Sequence, residues 1–550
     1  MSAARPSLLR GVAAFSSMTF LSRLLGLLRE TVIAAVFGAN AATDAFWVAF
    51  RIPNFMRRLF AEGAFSLAFV PVFAEVRARG DEAALKTFVA RTAGTLGGVL
   101  LVVTALGIWG ARGLVHVFAP GLAEDPARLA LTADLLRITF PFLLLVSLTA
   151  LAAGVLNAYS KFALAAFTPV ILNLCMIAAA LWLAPHLRIP ISALAWAILL
   201  AGALQLAIQL PALRRLGVLS WPRWGATHPD VRKIMRLMLP TLFGSSVAQI
   251  NLLLDTVIAS FLFVGSQTWL ALSDRLMEFP LGVFGVALGT VILPTLARHH
   301  LSTDRAGFQR ALDWGLRTAL LIALPAAVAL VLLAKPMIAT LFQHGRYNAF
   351  DTDMATLSLT TLSCGLPAFA LVKVLAPAFY ARQDTRTPVR AAVVAMVVNM
   401  LLNVILVGAL AWSWAAPELR RSGVLDTLAH TPGLHMALGM ASALAGYLNL
   451  TQLWLALRRQ GVVSGAAGLV AASGAHVSGL RGDGGGPAAG APAVVAGLDH
   501  AAGTGATVAF AGAAGRGRVD LSGGAVRARL PPARAARGLS ALWRCTILLR

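Results

Sequence analysis

The sequence predicts an all-α polytopic membrane protein built as two homologous six-helix bundles, parallel repeats of one another, around a central cavity. Composition, spacing and self-similarity carry that expectation. The 550-residue chain is 58% hydrophobic and only 13% charged, with a mean hydropathy of +0.77, which lies outside the range of soluble domains. Its apolar residues fall into twelve windows, near 13–38, 43–74, 92–116, 133–157, 163–185, 190–213, 234–263, 267–297, 315–342, 354–380, 388–415 and 434–457. Each meets the requirement of about 20 mostly apolar residues for a spanning helix.

Taken in order, the first window, FSSMTFLSRLLGLLRETVIAAVFG, carries Arg23, Arg29 and Glu30. The second, entered through Asp44, carries Arg51, Arg57, Arg58 and Glu62, with Pro53 and Gly63 as expected breaks. Asp255 lies in the seventh, Asp274, Arg275 and Glu278 in the eighth, Lys373 in the tenth, Asn399 and Asn403 in the eleventh. Helices tolerate such residues where they line a protein interior or a wet cavity.

The net charge of +23 follows the membrane rather than a nucleic acid. Basic residues gather in alternate loops: Arg77, Arg79 and Lys86; Lys161; Arg214 to Arg236; Arg298, Arg305 and Arg310; Arg382, Arg386 and Arg390; Arg458 and Arg459. The intervening loops are poor in them, apart from the longer one with Arg420 and Arg421. Cytoplasmic loops collect Lys and Arg, so the N-terminus and the even-numbered loops are expected in the cytoplasm. No cleavable signal peptide is evident. Cys175, Cys364 and Cys545 stand at unrelated spacings that suit neither a metal site nor a disulfide framework.

The chain also matches itself. ETVIAA at 30–35 returns as DTVIAS at 255–260, an offset of 225. Phe118 and Gly121 pair with Phe342 and Gly345 at 224, and Pro141 and Asn173 with Pro367 and Asn399 at 226. LAGALQL (200–206) and ALRRLGV (212–218) pair with LAGYLNL (444–450) and ALRRQGV (456–462) at 244, so 18 extra residues fall around 412–433. This divides the chain into lobes at 1–218 and 219–462, each of six spans and in the same orientation. Parallel repeats with a substrate site between them near the midplane are a common transporter plan.

Charges inside spans are costly and mark pathways or ligand sites. Here the basic groups outnumber Glu30, Asp44, Glu62, Asp255, Asp274 and Glu278, which points to an anionic substrate: guanidinium groups stay charged and offer forked donors to phosphate. The alternative is that these arginines snorkel or pair with nearby acids, Arg29 with Glu30 or Asp44. Asp255, with Asn399 and Asn403 four apart on one helix face, can surround a small hard cation or form an interhelical hydrogen-bonded knot. There is no catalytic constellation and no phosphate-binding loop, so an ion gradient or the membrane potential would have to drive transport.

At SSMTFLSRLLGLLRE, FGANAATDAFWVAFRIPNFMRRLFAEGAFSLAFVP, LALSDRLMEFPLGVFGVALGTVILP and VLAPAFYARQDTRTPV the chain resembles the MurJ/MviN family of lipid II flippases, over roughly 5–462. The resemblance implies a non-enzymatic transporter of the bacterial inner membrane. It would move an anionic polyprenyl-pyrophosphate lipid carrying a disaccharide-pentapeptide between leaflets by alternating access. It would act as a monomer among membrane lipids, with cell-wall synthesis proteins as candidate partners. Another polyprenyl-pyrophosphate oligosaccharide, or a cation or drug antiported by the same superfamily, are the rival cargoes. The resemblance implies substrate-binding roles for Arg23, Arg29, Arg57 and Arg275, gating roles for Asp44, Glu62 and Glu278, and a sodium site at Asp255, Asn399 and Asn403. The family's two further helices are not legible here. Residues 463–550 turn instead to a low-complexity Ala/Gly/Arg/Pro tail, expected either from a frameshift in a GC-rich gene or as a genuine lineage-specific extension.

Overall fold

The computed structural model describes residues 5–58 and 65–462, without the side chains of 5–16, 19, 66, 67, 239–248 and 283–290. Glu62, Gly63 and the whole 463–550 tail lie outside the described residues.

Among the described residues the regular structure is entirely helical. The first bundle comprises α1 (Arg5–Phe37), α2 (Ala41–Arg57), α3 (Ser66–Ala78), α4 (Glu82–Trp109), α5 (Ala111–Phe118), α6 (Pro120–Ala123), α7 (Pro126–Thr139), α8 (Phe142–Ala158), α9 (Phe162–Ala178) and α10 (Ser192–Arg215). The second comprises α11 (Pro229–Ser260), α12 (Ser266–Leu301), α13 (Arg305–Leu332), α14 (Ala334–Phe342), α15 (Ala349–Ser363), α16 (Leu366–Tyr380), α17 (Arg386–Trp414), α18 (Pro417–Ser422), α19 (Val424–His430) and α20 (Met436–Arg459). The described residues of all twelve apolar windows fall mainly on helices. Seven segments are long and apolar enough to cross a bilayer by length and composition alone. The other five windows coincide with α1, α2–α3, α11, α12 and α20, and the first four of these bear the intramembrane charges other than Lys373.

The repeat returns as packing. α1 lies along α9, α2 along α7 and α8 along α10; in the second bundle α11 lies along α17, α12 along α15 and α16 along α20. The second window is not broken at Pro53, which sits inside α2. Proline is tolerated in a membrane helix because neighbouring groups satisfy the freed carbonyl.

Two helices begin with the same capping device. Asn40 caps α2 by accepting from the backbone of Ala42 and Thr43 (2.9 and 3.2 Å), while the Thr43 hydroxyl accepts from the Asn40 N–H (2.8 Å). Asn348 and Asp351 repeat this capping box at α15, an arrangement that satisfies backbone donors the helix leaves orphaned. The α2 cap fixes the next residue, Asp44, at the contact between bundles.

On the side away from the Arg-rich loops, each bundle rests a glycine on the end of the other's first helix. The Gly121 N–H donates to Ser260 Oγ (3.0 Å), and a Cβ there would overlap the Ser260 carbonyl. Gly345, at φ +59°, lies on the Ala35 carbonyl, which also accepts from the Arg346 N–H (2.8 Å). Gly121 and Gly345 are repeat partners, as are Ala35 and Ser260.

Candidate functional site

A cavity of about 360 Å³ lies between the bundles. Its polar walls are Glu30 of α1, Arg51 and Asn54 of α2, Arg58 just beyond it, Gln249, Asn251 and Asp255 of α11, and Asp274, Arg275 and Glu278 of α12. A second pocket of about 220 Å³ shares Arg275 and Glu278 and adds Arg23 among apolar residues such as Leu27, Phe279 and Met337.

Arg23 and Arg275 reach this region reciprocally. A Cβ on Gly26 of α1 would overlap the Arg275 guanidinium, and one on Gly282 of α12 would overlap that of Arg23. Each arginine therefore lies in a notch of the other bundle's helix, a close approach that only a residue without a side chain permits. Glu278, one turn on from Arg275, holds it loosely at 3.8 Å.

Arg29 is placed differently. It is 8% exposed, pairs with Glu30, and donates to Asn173 Oδ1 of α9 (3.0 Å). The Asn173 amide in turn donates to the Ser22 carbonyl (2.9 Å). This is the pairing with Glu30 that the sequence left open, and it directs Arg29 into its own bundle. Arg57 donates to Asn54 (2.9 Å), and its neighbour Arg58 lines the cavity.

The charge balance differs from the expected basic surplus. The main cavity presents three guanidiniums, Arg51, Arg58 and Arg275, against four carboxylates, Glu30, Asp255, Asp274 and Glu278. The physical reason is that an arginine with no counter-charge in a low-dielectric interior is costly, so the acids of the same spans sit among the arginines. Arg51 is the group that ties the bundles together here. Its Nη1 donates to Thr256 Oγ1 of α11 (2.9 Å) and Gln267 Oε1 of α12 (2.8 Å).

Asp44 makes the second tie. Its carboxylate accepts from the backbone N–H groups of Gly265 (2.7 Å) and Thr268 (3.0 Å) and from the Thr268 hydroxyl (2.7 Å). The first bundle thus caps the start of α12, where exposed N–H groups and the helix dipole favour an anion. Gly265, at φ +101°, makes the turn that presents those donors.

Asp255 Oδ1 accepts from the amides of Asn403 (2.7 Å) and Asn399 (3.4 Å), and Asn399 also donates to Asn251 Oδ1 (2.8 Å). The three residues named from the sequence are therefore together. The side-chain oxygens of Asn399 and Asn403 are buried without a hydrogen-bond donor, but the amide N–H groups rather than these oxygens face the carboxylate, so holding a hard cation here would require both amides to turn over. Among the described residues no three His, Cys, Asp or Glu side chains cluster at ligand spacing, so this set depends on amides. Asn251 escapes a reading of the sequence alone, although its position one helical turn before Asp255 puts it on the same face. Arg51 and Asp274 stand out there only as charges, and Asn54 and Gln249 not at all, because their meeting depends on how the two bundles face each other.

The family described as "MurJ: Lipid II flippase MurJ" matches residues 33–416. The chain is 44% identical over 462 residues to the probable lipid II flippase MurJ of Vibrio cholerae, covering 83% of this chain and 84% of that protein. It is 42% identical over 460 residues to the lipid II flippase MurJ of Burkholderia cenocepacia, covering 83% and 85%. In fold it is similar to a lipid II flippase MurJ in an inward closed conformation, with a TM-score of 0.67 at 24% identity over 84% of this chain and 92% of that one. It is also similar to an inward-facing multidrug resistance MATE family transporter of the MOP superfamily, with a TM-score of 0.62 at 11% identity over 82% and 98%. The all-helical, two-bundle expectation is met, and the chain belongs to the MurJ family.

Proposed function

We propose that this chain flips lipid II, the polyprenyl-pyrophosphate-linked peptidoglycan precursor, from the cytoplasmic to the periplasmic leaflet of the bacterial inner membrane. The carrying observation is the meeting of Arg23 and Arg275, one from each bundle, beside a charged cavity. A pyrophosphate between them would accept forked hydrogen bonds from both, and its charge would replace that of the carboxylates now set among the arginines. The chain acts as a transporter, with no group of its own performing covalent chemistry.

In this reading Arg23 and Arg275 bind the cargo, Arg57 and Arg58 extend the basic wall, and Arg29 holds α1 against α9. Asp44 gates by capping α12, and Glu278 gates by restraining Arg275. Alternating access then requires the Asp44 cap, the Arg51 bridge and the paired glycine contacts to part on one side while the opposite side closes. Asp255, Asn399 and Asn403 would hold a sodium ion that contributes a gradient-derived bias; the membrane potential is the other source. The N-terminus lies in the cytoplasm by the distribution of Lys and Arg.

The test is complementation in a bacterium depleted of its own lipid II flippase, with membrane levels checked. Rescue by the parent chain and failure of Arg23→Ala and Arg275→Ala support the reading; rescue by both variants refutes it. If the parent chain fails while present in the membrane, replacing 463–550 with two apolar helices from the corrected reading frame separates a damaged C-terminus from a different cargo.

A further inference from the structure

The second bundle contains residues for which the first has no equivalent, the stretch that accounts for the 18-residue jump in the repeat. They fold as α18 and α19 over the end of α17. Under them lies a groove of about 370 Å³, walled by Ile258 of α11, Val404, Val407 and Gly408 of α17, and Leu428 of α19. It is apolar except at its rim. A Cβ added at Gly408 would meet nothing within 4 Å, so the groove floor is open space.

The groove faces the bilayer, since Val404 is 67% and Trp412 72% exposed on the most hydropathic of the spans among the described residues. Trp412 and Trp414 place its rim at headgroup depth, where Trp rings collect. At that rim the Arg420 Nε donates to the Ala415 carbonyl (2.9 Å), and the guanidinium lies 5.4 Å from the Trp412 ring centroid. Its two terminal nitrogens have no hydrogen-bond partner among the described residues, and Arg421 follows it.

An apolar slot topped by a fixed guanidinium with free donors matches one acyl chain and one phosphate. We propose that this groove binds an anionic glycerophospholipid, with a chain over Gly408 and the phosphate on Arg420. Charge selects the anionic class: a zwitterionic headgroup brings an ammonium toward the Arg420–Arg421 pair, whereas a net negative one does not. The site is separate from the cargo cavity. It nevertheless touches Ile258, one turn beyond Asp255, and Val404, next to Asn403, so its occupant packs against the two helices that carry the Asp255 cluster.

The experiment is native mass spectrometry of the full chain, purified in mild detergent and mixed with phosphatidylglycerol or phosphatidylethanolamine of identical chains. The parent is expected to retain one phosphatidylglycerol in preference to phosphatidylethanolamine. Gly408→Leu, which fills the floor, should lower that retention at least about fivefold, and Arg420→Gln should reduce phosphatidylglycerol to the phosphatidylethanolamine level. Equal retention of both lipids by the parent, retention of neither, or unchanged retention in the variants overturns the proposal. So does displacement of the bound lipid by a polyprenyl phosphate at lower concentration. If Gly408→Leu does not elute as a single species, the exposed Arg420→Gln decides.

Discussion

At equivalent places the two bundles tie their first and fifth spans together with the same pieces and a different charge. In the first, Glu30 of α1 sits with Arg29 and Asn173. In the second, the aligned Asp255 of α11 sits with Asn399, the partner of Asn173, and with Asn403. The residue aligned with Arg29 is Leu254. One copy of the duplicated carboxylate–amide contact therefore carries its cation on the chain. The other leaves a buried carboxylate with amides, and among the described residues the cation near it is Arg51 of the opposite bundle, which bonds Thr256. Duplication supplied the scaffold, and a single side chain distinguishes the knot that carries its own cation from the one that does not.

The largest expected effect comes from breaking the closed knot. Arg29→Ala strands Glu30 in the interior and should cost about 3–5 kcal/mol, the usual result of removing one partner of a buried pair. Arg29→Leu with Glu30→Gln should recover most of it. Thermal midpoints of the purified protein read this, and an unchanged midpoint for Arg29→Ala would mean that the pair does not hold α1 to α9.

Transplanting the difference comes next. Leu254→Arg places a tethered cation beside Asp255 and should abolish any rise in thermal midpoint on exchanging choline chloride for sodium chloride. In the parent that rise should correspond to about 1.4 kcal/mol at tenfold the dissociation constant. If the parent shows no sodium response, the second knot is a hydrogen-bonded contact like the first and the contrast fails.

The paired glycines allow a finer comparison. Gly345→Val and Gly121→Val each force a side chain onto a backbone carbonyl of the other bundle. Gly345→Val should act more strongly because its φ of +59° also disfavours a β-branched residue. The readout is labelling of Ala271→Cys in the cavity wall by a membrane-impermeant thiol reagent, in a chain whose own cysteines are serine. It should rise in both variants and more in the first; equal, unchanged labelling would show that the glycines do not seal that side.

The smallest effect concerns the turns before the fifth spans. Ser160 and Gln383 adopt the same left-handed conformation there (φ 59° and 60°). α9 then starts without a side-chain cap, while Asp384 accepts from the Thr387 hydroxyl (2.6 Å) and N–H (3.0 Å) near the start of α17. These bonds hold the Asp384 carboxyl below its ordinary value. A depressed folded value means stability that is present above the unfolded carboxylate value and lost as pH falls through the folded one. The midpoint difference between parent and Thr387→Val should therefore be constant near neutrality, begin to shrink as pH falls past about 4, and vanish only below the depressed folded value. A difference that persists at lower pH would assign it to packing of the Thr387 methyl.

The fold was legible because its determinants are periodic and local: apolar windows, alternating basic loops and the ordered matches from ETVIAA to ALRRQGV. The Asp255, Asn399 and Asn403 set was legible for the same reason, since helical spacing and the repeat put them on facing helices. Arg29 was not, because sequence records that an arginine lies in a span but not which way it turns, and Asn173 decides that from 144 residues away. The balanced charge of the cavity was hidden too, since it depends on which faces of α2, α11 and α12 meet. Asp44 stood out only as an acid at a span entrance, and its gating role was marked through the resemblance alone. Its physical role emerges only with Gly265 and Thr268 beside it.

The reciprocal seating of Arg23 on Gly282 and Arg275 on Gly26 works like a lock with two bolts thrown from opposite doors. Neither guanidinium can swing toward a guest without vacating a slot in the facing helix, and a guest that draws only one leaves the other bolt across the seam. If the two arginines bind the cargo as proposed, release of the seam reports that both have been drawn. Under the proposed binding roles, an anion wide enough to engage two guanidiniums at once, as a pyrophosphate is, would meet that condition, and a smaller anion held by one of them would not.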